Sequence, residues 1–250
     1  PYLGMALFIG ALGFAVTKMP LPELLDDEEQ GQKGQVKAAL AHPSLALGVV
    51  ALFVYVAVEV IAGDTIGTFA LSLGVEKYSV MTSYTMACMV LGYIIGIALI
   101  PRVISQQAAL SVSAILGSIL TVAIVVSDSS SVVVANTLGL EVQLPDTLLM
   151  IAVLGFANAI VWPAVWPLTL EGLGKHTKTA AALLIMAISG GAIIPPLYGR
   201  LVDSSKEALI NSGLEAADAL ALAAKESYYI LIPCYAIIFV FAVWGQRPKK

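Results

Sequence analysis

The chain has 250 residues, 59% hydrophobic and only 12% charged, whereas soluble domains run near 45–50% apolar and about 25% charged. With a mean hydropathy of +0.91, one water-soluble core could not hide that much apolar surface. A net charge of −4 excludes a nucleic-acid partner, which needs a basic footprint.

Two cysteines, Cys88 and Cys234, make no disulfide framework and read as small buried apolar side chains. The composition defines an integral membrane protein whose first partner is the lipid bilayer. A spanning helix needs about 20 mostly apolar residues, and the chain can be divided on that ruler.

Residues 1–17 form a short apolar run opening on Pro1-Tyr2-Leu3-Gly4, without the charged n-region of a signal peptide. They read as a partial transmembrane helix of a fragment whose upstream half lies outside this sequence. Residues 18–44 hold Pro20, Pro22, the acidic run Asp26-Asp27-Glu28-Glu29 and two glycines, the chemistry of a flexible linker. Residues 45–250 then contain six full spans: Leu45–Leu71, Ser79–Ile100, Ala108–Val126, Thr147–Leu170, Thr179–Leu201 and Tyr228–Trp244. Between spans, Asp128–Asp146 has an apolar run too short to cross. Asp203–Ser227 is expected to form helix along the surface or as an extension of the last span.

Lys and Arg set the orientation. Lys18, Lys33, Lys37, Arg102, Lys175, Lys178, Arg247, Lys249 and Lys250 fall on one side, against Lys77, Arg200, Lys206 and Lys225 on the other. That bias places the linker and the C-terminus in the cytoplasm.

The six spans divide into two groups of three, and the first of each group carries polar residues and helix breakers at mid-depth. Leu45–Leu71 has Tyr55, Glu59, Gly63, Asp64 and Gly67; Thr147–Leu170 has Asn158, Trp162, Pro163, Trp166 and Pro167. Breakers at matching places in two repeats are the best sequence pointer to a transporter's binding site. Gly190-Gly191 and Pro195-Pro196 mark a further kink in the next span.

Glu59 is the most informative residue. An ionisable group at a helix centre costs roughly 2.5–3.5 kcal/mol on insertion scales, and Glu59 lies too deep to snorkel. Tyr55, Ala62, Gly63 and Ile66 fall within about 60° of it around the helix. That face offers one carboxylate, one phenol and room for a polar substrate or a proton; the alternative is a structural hydrogen bond to a neighbouring helix. Asp64 sits about 140° round the helix and would share that face only if the glycines unwind. It is a second candidate ligand or, equally, an interface residue.

Asn158 and Trp162, four residues apart, are expected to point the same way. An amide donates and accepts, and an indole offers an apolar face and one N–H. With a carboxylate, these groups suit a sugar, which has hydroxyls on its rim and C–H faces. Trp166 fits the interfacial role better. No metal site, cofactor site, phosphate loop or nucleophile elbow is expected, since His42 and His176 stand alone at helix ends.

Several phrases carry a family resemblance. They are Phe53-Val54-Tyr55-Val56-Ala57-Val58-Glu59-Val60, Ile61-Ala62-Gly63-Asp64-Thr65-Ile66-Gly67, Asn158-Ala159-Ile160-Val161-Trp162-Pro163, Leu170-Glu171-Gly172-Leu173-Gly174 and Gly190-Gly191-Ala192-Ile193-Ile194-Pro195. The chain resembles the fucose/glucose/galactose:proton symporter family of the major facilitator superfamily, from the sixth helix onward. The resemblance implies an all-α membrane protein, the C-terminal six-helix half of a major-facilitator fold plus one partial preceding helix. It implies import of a hexose or deoxyhexose with a proton, by alternating access, across a bacterial inner membrane. Its partners would be the sugar, the proton and the missing N-terminal half, which holds most coupling carboxylates of the family. Arg102 remains from the superfamily's Gly-rich Asp-Arg motif. Competing readings are an exporter of another small molecule, an intramembrane enzyme, which Glu59 alone cannot supply, and a structural assembly subunit.

Overall fold

In the computed structural model residues 2–18, 34–137 and 144–245 are described, and among them every regular element is a helix. Inside a bilayer no water pairs with exposed backbone groups, so a spanning segment closes its own hydrogen bonds as a helix. Six helical stretches are long and apolar enough to cross: Pro43–Ser72, Tyr78–Leu99, Gln106–Val126, Asp146–Leu170, Gly174–Asn211 and Ala216–Trp244. They are the six read from the sequence.

Helix α1 (Tyr2–Lys18) is an apolar helix described by itself, with the Lys18 ammonium 5.6 Å from the Phe14 ring centre. The bundle begins with α2 (Gln35–Leu40), inside the stretch that composition assigns to the linker. Ala39 on α2 is fully buried in a small cluster with Leu45, Leu173 and Ala180. Then come α3 (Pro43–Ser72), α4 (Met81–Leu99), α5 (Gln106–Val126) and the five-residue α6 (Val133–Thr137), which is too short to cross. The fourth span is made of α7 (Asp146–Ala159) and α8 (Val161–Leu170), the fifth of α9 (Thr177–Ala187) and α10 (Gly190–Asn211), the sixth of α11 (Ala216–Ser227) and α12 (Leu231–Trp244).

The breakers act differently from one another. Gly63, Asp64 and Gly67 do not interrupt α3, which runs unbroken for 30 residues. A glycine within a helix costs about 1 kcal/mol, and packing outweighs that here. The Thr82 hydroxyl donates to the Gly63 carbonyl at 2.8 Å, and Met86 covers the face that Gly63 leaves bare. The fourth span does divide, at Ile160. Pro163 has no N–H to return to the Ala159 carbonyl, so the ladder opens one turn before it. The fifth span divides at Ile188–Ser189, upstream of its prolines, and α10 carries Pro195 and Pro196 inside it. Gly190 and Gly191 serve contact instead: a side chain at Gly190 would run into the Phe53 backbone on α3. The stretch Asp203–Ser227 divides: residues 203–211 lengthen α10 of the fifth span, and α11 extends the last span through a single 3₁₀ turn over Tyr228–Ile230 that joins it to α12.

The loop before α7 is tied down by polar side chains. The buried Asp146 carboxylate accepts from the Ser131 hydroxyl at 2.6 Å and from the N–H groups of Val133 and Val134 at 3.0 and 2.8 Å. Those bonds occupy donors that the first turn of α6 leaves free. Lys225 of α11 donates to the Ser127 carbonyl at 2.7 Å, a cation where the end of α5 concentrates negative charge. The Ser130 N–H and hydroxyl hold the exposed Asp128 carboxyl below its usual range.

Helices α4 and α7 approach through glycines on both sides. A Cβ at Gly92 would lie 2.6 Å from the Ala159 Cβ and 3.1 Å from the Phe156 carbonyl oxygen, and one at Gly155 would run into the Thr85 backbone. Overpacked sites cost typically about 1–3 kcal/mol, so Gly92→Ala should lower the thermal unfolding midpoint in detergent by that equivalent. Helix α3 and the span made of α7 and α8 matter most for the site. In their apolar windows α3 and the α7–α8 span have 61% of residues buried, against 22–50% in the other four spans. The two spans singled out by their polar residues are therefore the innermost of the bundle.

Candidate functional site

The site begins where α3 and α8 cross. Gly48 has no side chain, and Thr169 of α8 fills the space a Cβ would need. Seven residues further along each helix, in opposite directions, Tyr55 meets Trp162. Their ring centres lie 6.4 Å apart at 51°. Seven residues are nearly two full turns, so the Gly48–Thr169 contact sets the register that brings these rings together. Trp166, one turn along α8, stacks on Trp162 at 5.6 Å and 23°.

Glu59 stands one turn beyond Tyr55 on α3 and is half-buried. Tyr55 is fully buried, and its hydroxyl lies near enough to interact with the Glu59 carboxylate but makes no hydrogen bond of good geometry. Tyr93 of α4 is within electrostatic reach of both Glu59 and Tyr55. Tyr93, Ile160 and Pro163 also line a cavity of about 190 Å³ that runs to Gln106 at the start of α5. One carboxylate, two phenols and a pair of stacked indoles thus gather where α3, α4 and α8 meet.

Asn158 lies elsewhere. It is fully enclosed, and its Oδ1 accepts from the Tyr235 hydroxyl of α12 at 2.9 Å, while its Nδ2 has no partner among the described residues. The stripe expected to continue from Trp162 to Asn158 is broken at Ile160, where α7 ends. Asp64 is exposed, on a part of α3 that stays helical, so the two carboxylates keep to different faces. The structure brings Tyr55, Glu59 and Trp162 together and leaves Asp64 apart.

Two phenols escaped the sequence reading. Nothing local sets Tyr93 and Tyr235 apart from Tyr84 and Tyr229 in the same spans. Tyr235 also needs Gly117 of α5, because a side chain at Gly117 would run into its ring. Tyr235→Phe would leave the Asn158 amide without a partner for its oxygen. An unsatisfied buried polar group costs about 1–3 kcal/mol, so the variant should unfold at lower temperature by that equivalent.

These groups can hold a ligand that has hydroxyls and an apolar face. A carboxylate accepts two O–H donors at once, a phenol donates one, and an indole presents an apolar face.

The chain has about half of a major facilitator fold. A crystal structure of a major facilitator superfamily transporter in the outward conformation superposes with a TM-score of 0.69 at 19% identity, covering 99% of this chain and 54% of that one. A crystal structure of the E. coli fucose:proton symporter gives a TM-score of 0.70, also at 19% identity. In sequence the chain is 28% identical, over 250 residues, to a putative glucose/galactose transporter of Helicobacter pylori, covering 100% of this chain and 55% of the relative. It is 26% identical to a glucose/galactose transporter of Brucella abortus over 99% of this chain and 53% of that protein. It is 30% identical to an L-fucose-proton symporter of Haemophilus influenzae over 36% of this chain and 18% of that protein. No protein-family model matches. The chain spans about half the length of the glucose/galactose transporters it matches. The resemblance carried by the sequence motifs thus extends along the whole chain, in sequence and in fold.

Proposed function

We propose that this chain is the C-terminal half of a secondary active transporter that imports a hexose or deoxyhexose with a proton. The carrying observation is the meeting of Glu59, Tyr55 and Trp162 on the two innermost spans of the bundle. A carboxylate kept inside a membrane span is costly, and a polar substrate or a proton gives it a task. The names of the similar proteins, glucose/galactose transporters and an L-fucose-proton symporter, favour the sugar and the proton.

In this reading Trp162 stacks on the sugar ring, and Glu59 and Tyr55 bind its hydroxyls. Asn158 offers an N–H that a sugar hydroxyl reaching it would satisfy, and Asp64 waits on the exposed face of α3. The chain works as a carrier and not as an enzyme, in a bacterial inner membrane with its C-terminus in the cytoplasm. An N-terminal half of the same transporter closes the cavity from the other side. Exchange of the proton for sodium is the alternative coupling.

Uptake by the full-length transporter in energised vesicles, across a panel of D-glucose, D-galactose and L-fucose, tests the proposal. At least one sugar should accumulate against its gradient, and collapsing the proton gradient should stop it. Accumulation that follows sodium alone, or no uptake of any hexose, would remove the assignment.

A further inference from the structure

A second cavity, of about 350 Å³, lies at the end of the bundle away from His42, where α3, α10 and α11 part. It shares no residue with the Glu59 site. Helix α3 contributes Thr65, Thr68 and Ser72 to its walls, and α10 contributes Tyr198 and Asp203.

Every hydroxyl there has turned its proton inward. Thr68 donates to the Thr65 carbonyl at 2.8 Å, Ser72 to the Phe69 carbonyl at 2.7 Å, and Tyr198 to the Ala224 carbonyl at 2.9 Å. Thr65 is bonded to the Ile61 carbonyl at 2.6 Å and to the Tyr228 hydroxyl at 2.7 Å. A hydroxyl that has spent its proton keeps lone pairs, and a carboxylate only accepts. Asp203, exposed at the rim, has no hydrogen bond or ion pair among the described residues. Helical backbone N–H groups are occupied within their own helices. The walls therefore offer acceptors and almost no donor. Phe69 adds an apolar surface, and it and Tyr198 both pack edge-on against Tyr228, which holds the aromatic wall in place.

A ligand suited to this lining carries several O–H donors and an apolar face. We propose that the cavity is a second sugar site, a vestibule that takes up a neutral hexose before it reaches Glu59 and Trp162. The identity of its ligand rests on the sugar-transport reading above. An organic cation would satisfy the acceptors too, but a single exposed carboxylate gives it little charge compensation.

Gly199 makes the site testable. It lines the cavity, and a Cβ added there meets no heavy atom within 4 Å, so a phenyl group can grow into open space. Equilibrium dialysis of the full-length transporter, against whichever of radiolabelled D-glucose, D-galactose and L-fucose it takes up, should find two sugars per wild-type protein. Gly199→Phe should bind one. In vesicles the same variant should raise KM about tenfold, as expected for losing one or two hydrogen bonds, with the maximal rate unchanged. Asp203→Asn and Thr68→Val, milder changes, should weaken the second site while sparing the first. One sugar bound by the wild type, or two sugars bound by all three variants, would overturn the proposal. So would displacement of the second molecule by choline. A wild type that binds no hexose at all would instead overturn the transport reading and this inference together.

Discussion

Glu59→Gln in the full-length transporter should lower sugar affinity about 10- to 100-fold, because hydrogen bonds to a charged group contribute about 1.5–3 kcal/mol. The amide keeps the shape of the side chain and loses its charge. Glu59 has no cationic partner among the described residues, so the variant should fold and insert normally. Two assays separate the roles open to this carboxylate. If it binds sugar, equilibrium exchange and gradient-driven uptake should fall together. If it carries the coupling proton, exchange should persist while uphill accumulation is abolished. The sugar role is favoured, since the family resemblance places the coupling carboxylates in the other half. Wild-type behaviour in both assays would leave Glu59 without a role in sugar binding or in coupling.

Trp162→Ala should have the second large effect. The indole packs between Tyr55 and Trp166, and its removal deletes both the stacking face and the spacer that holds Tyr55 in place. Aromatic pairs are worth about 0.5–1.5 kcal/mol beyond their buried area, a factor of about 2 to 13, and the lost apolar contact adds to that, so affinity should fall about tenfold. Trp162→Phe keeps a ring against Tyr55 and should retain part of the binding. Asn158→Ala should behave differently from both. Its partner is Tyr235, 77 residues away on α12, so the loss should fall on stability as much as on affinity.

The contrast between Trp162 and Asn158 shows how far the sequence could be read. The spans were legible because membrane helices need long apolar runs, and run length is a local property. Tyr55 and Glu59 were legible as neighbours because residues four apart share a helix face. Pro163 was legible as a breaker, for it removes a backbone donor outright, but its consequence was not: the stripe from Trp162 to Asn158 assumed helix through Ile160, where the span divides. Gly63 and Gly67 misled, because glycine permits unwinding without forcing it, and what decides is a hydroxyl from another helix, that of Thr82. The Tyr55–Trp162 contact depends on Gly48 and Thr169 meeting two turns away, and the burial of Asn158 depends on Tyr235 and Gly117. Such pairings between distant segments leave no local pattern. Helix α2 was read as linker because its flanking residues are acidic and Gly-rich, although the buried Ala39 anchors it in the bundle.

The most direct test is sugar binding at equilibrium, measured with purified full-length transporter and the sugar that the wild type accumulates. Trp244, exposed at the end of α12, supplies the control. Trp162→Ala should bind about tenfold more weakly, Trp162→Phe should fall between, and Trp244→Ala should match the wild type. Wild-type affinity in Trp162→Ala, with an unfolding midpoint close to that of the parent, would contradict the account and move the sugar away from the crossing of α3 and α8.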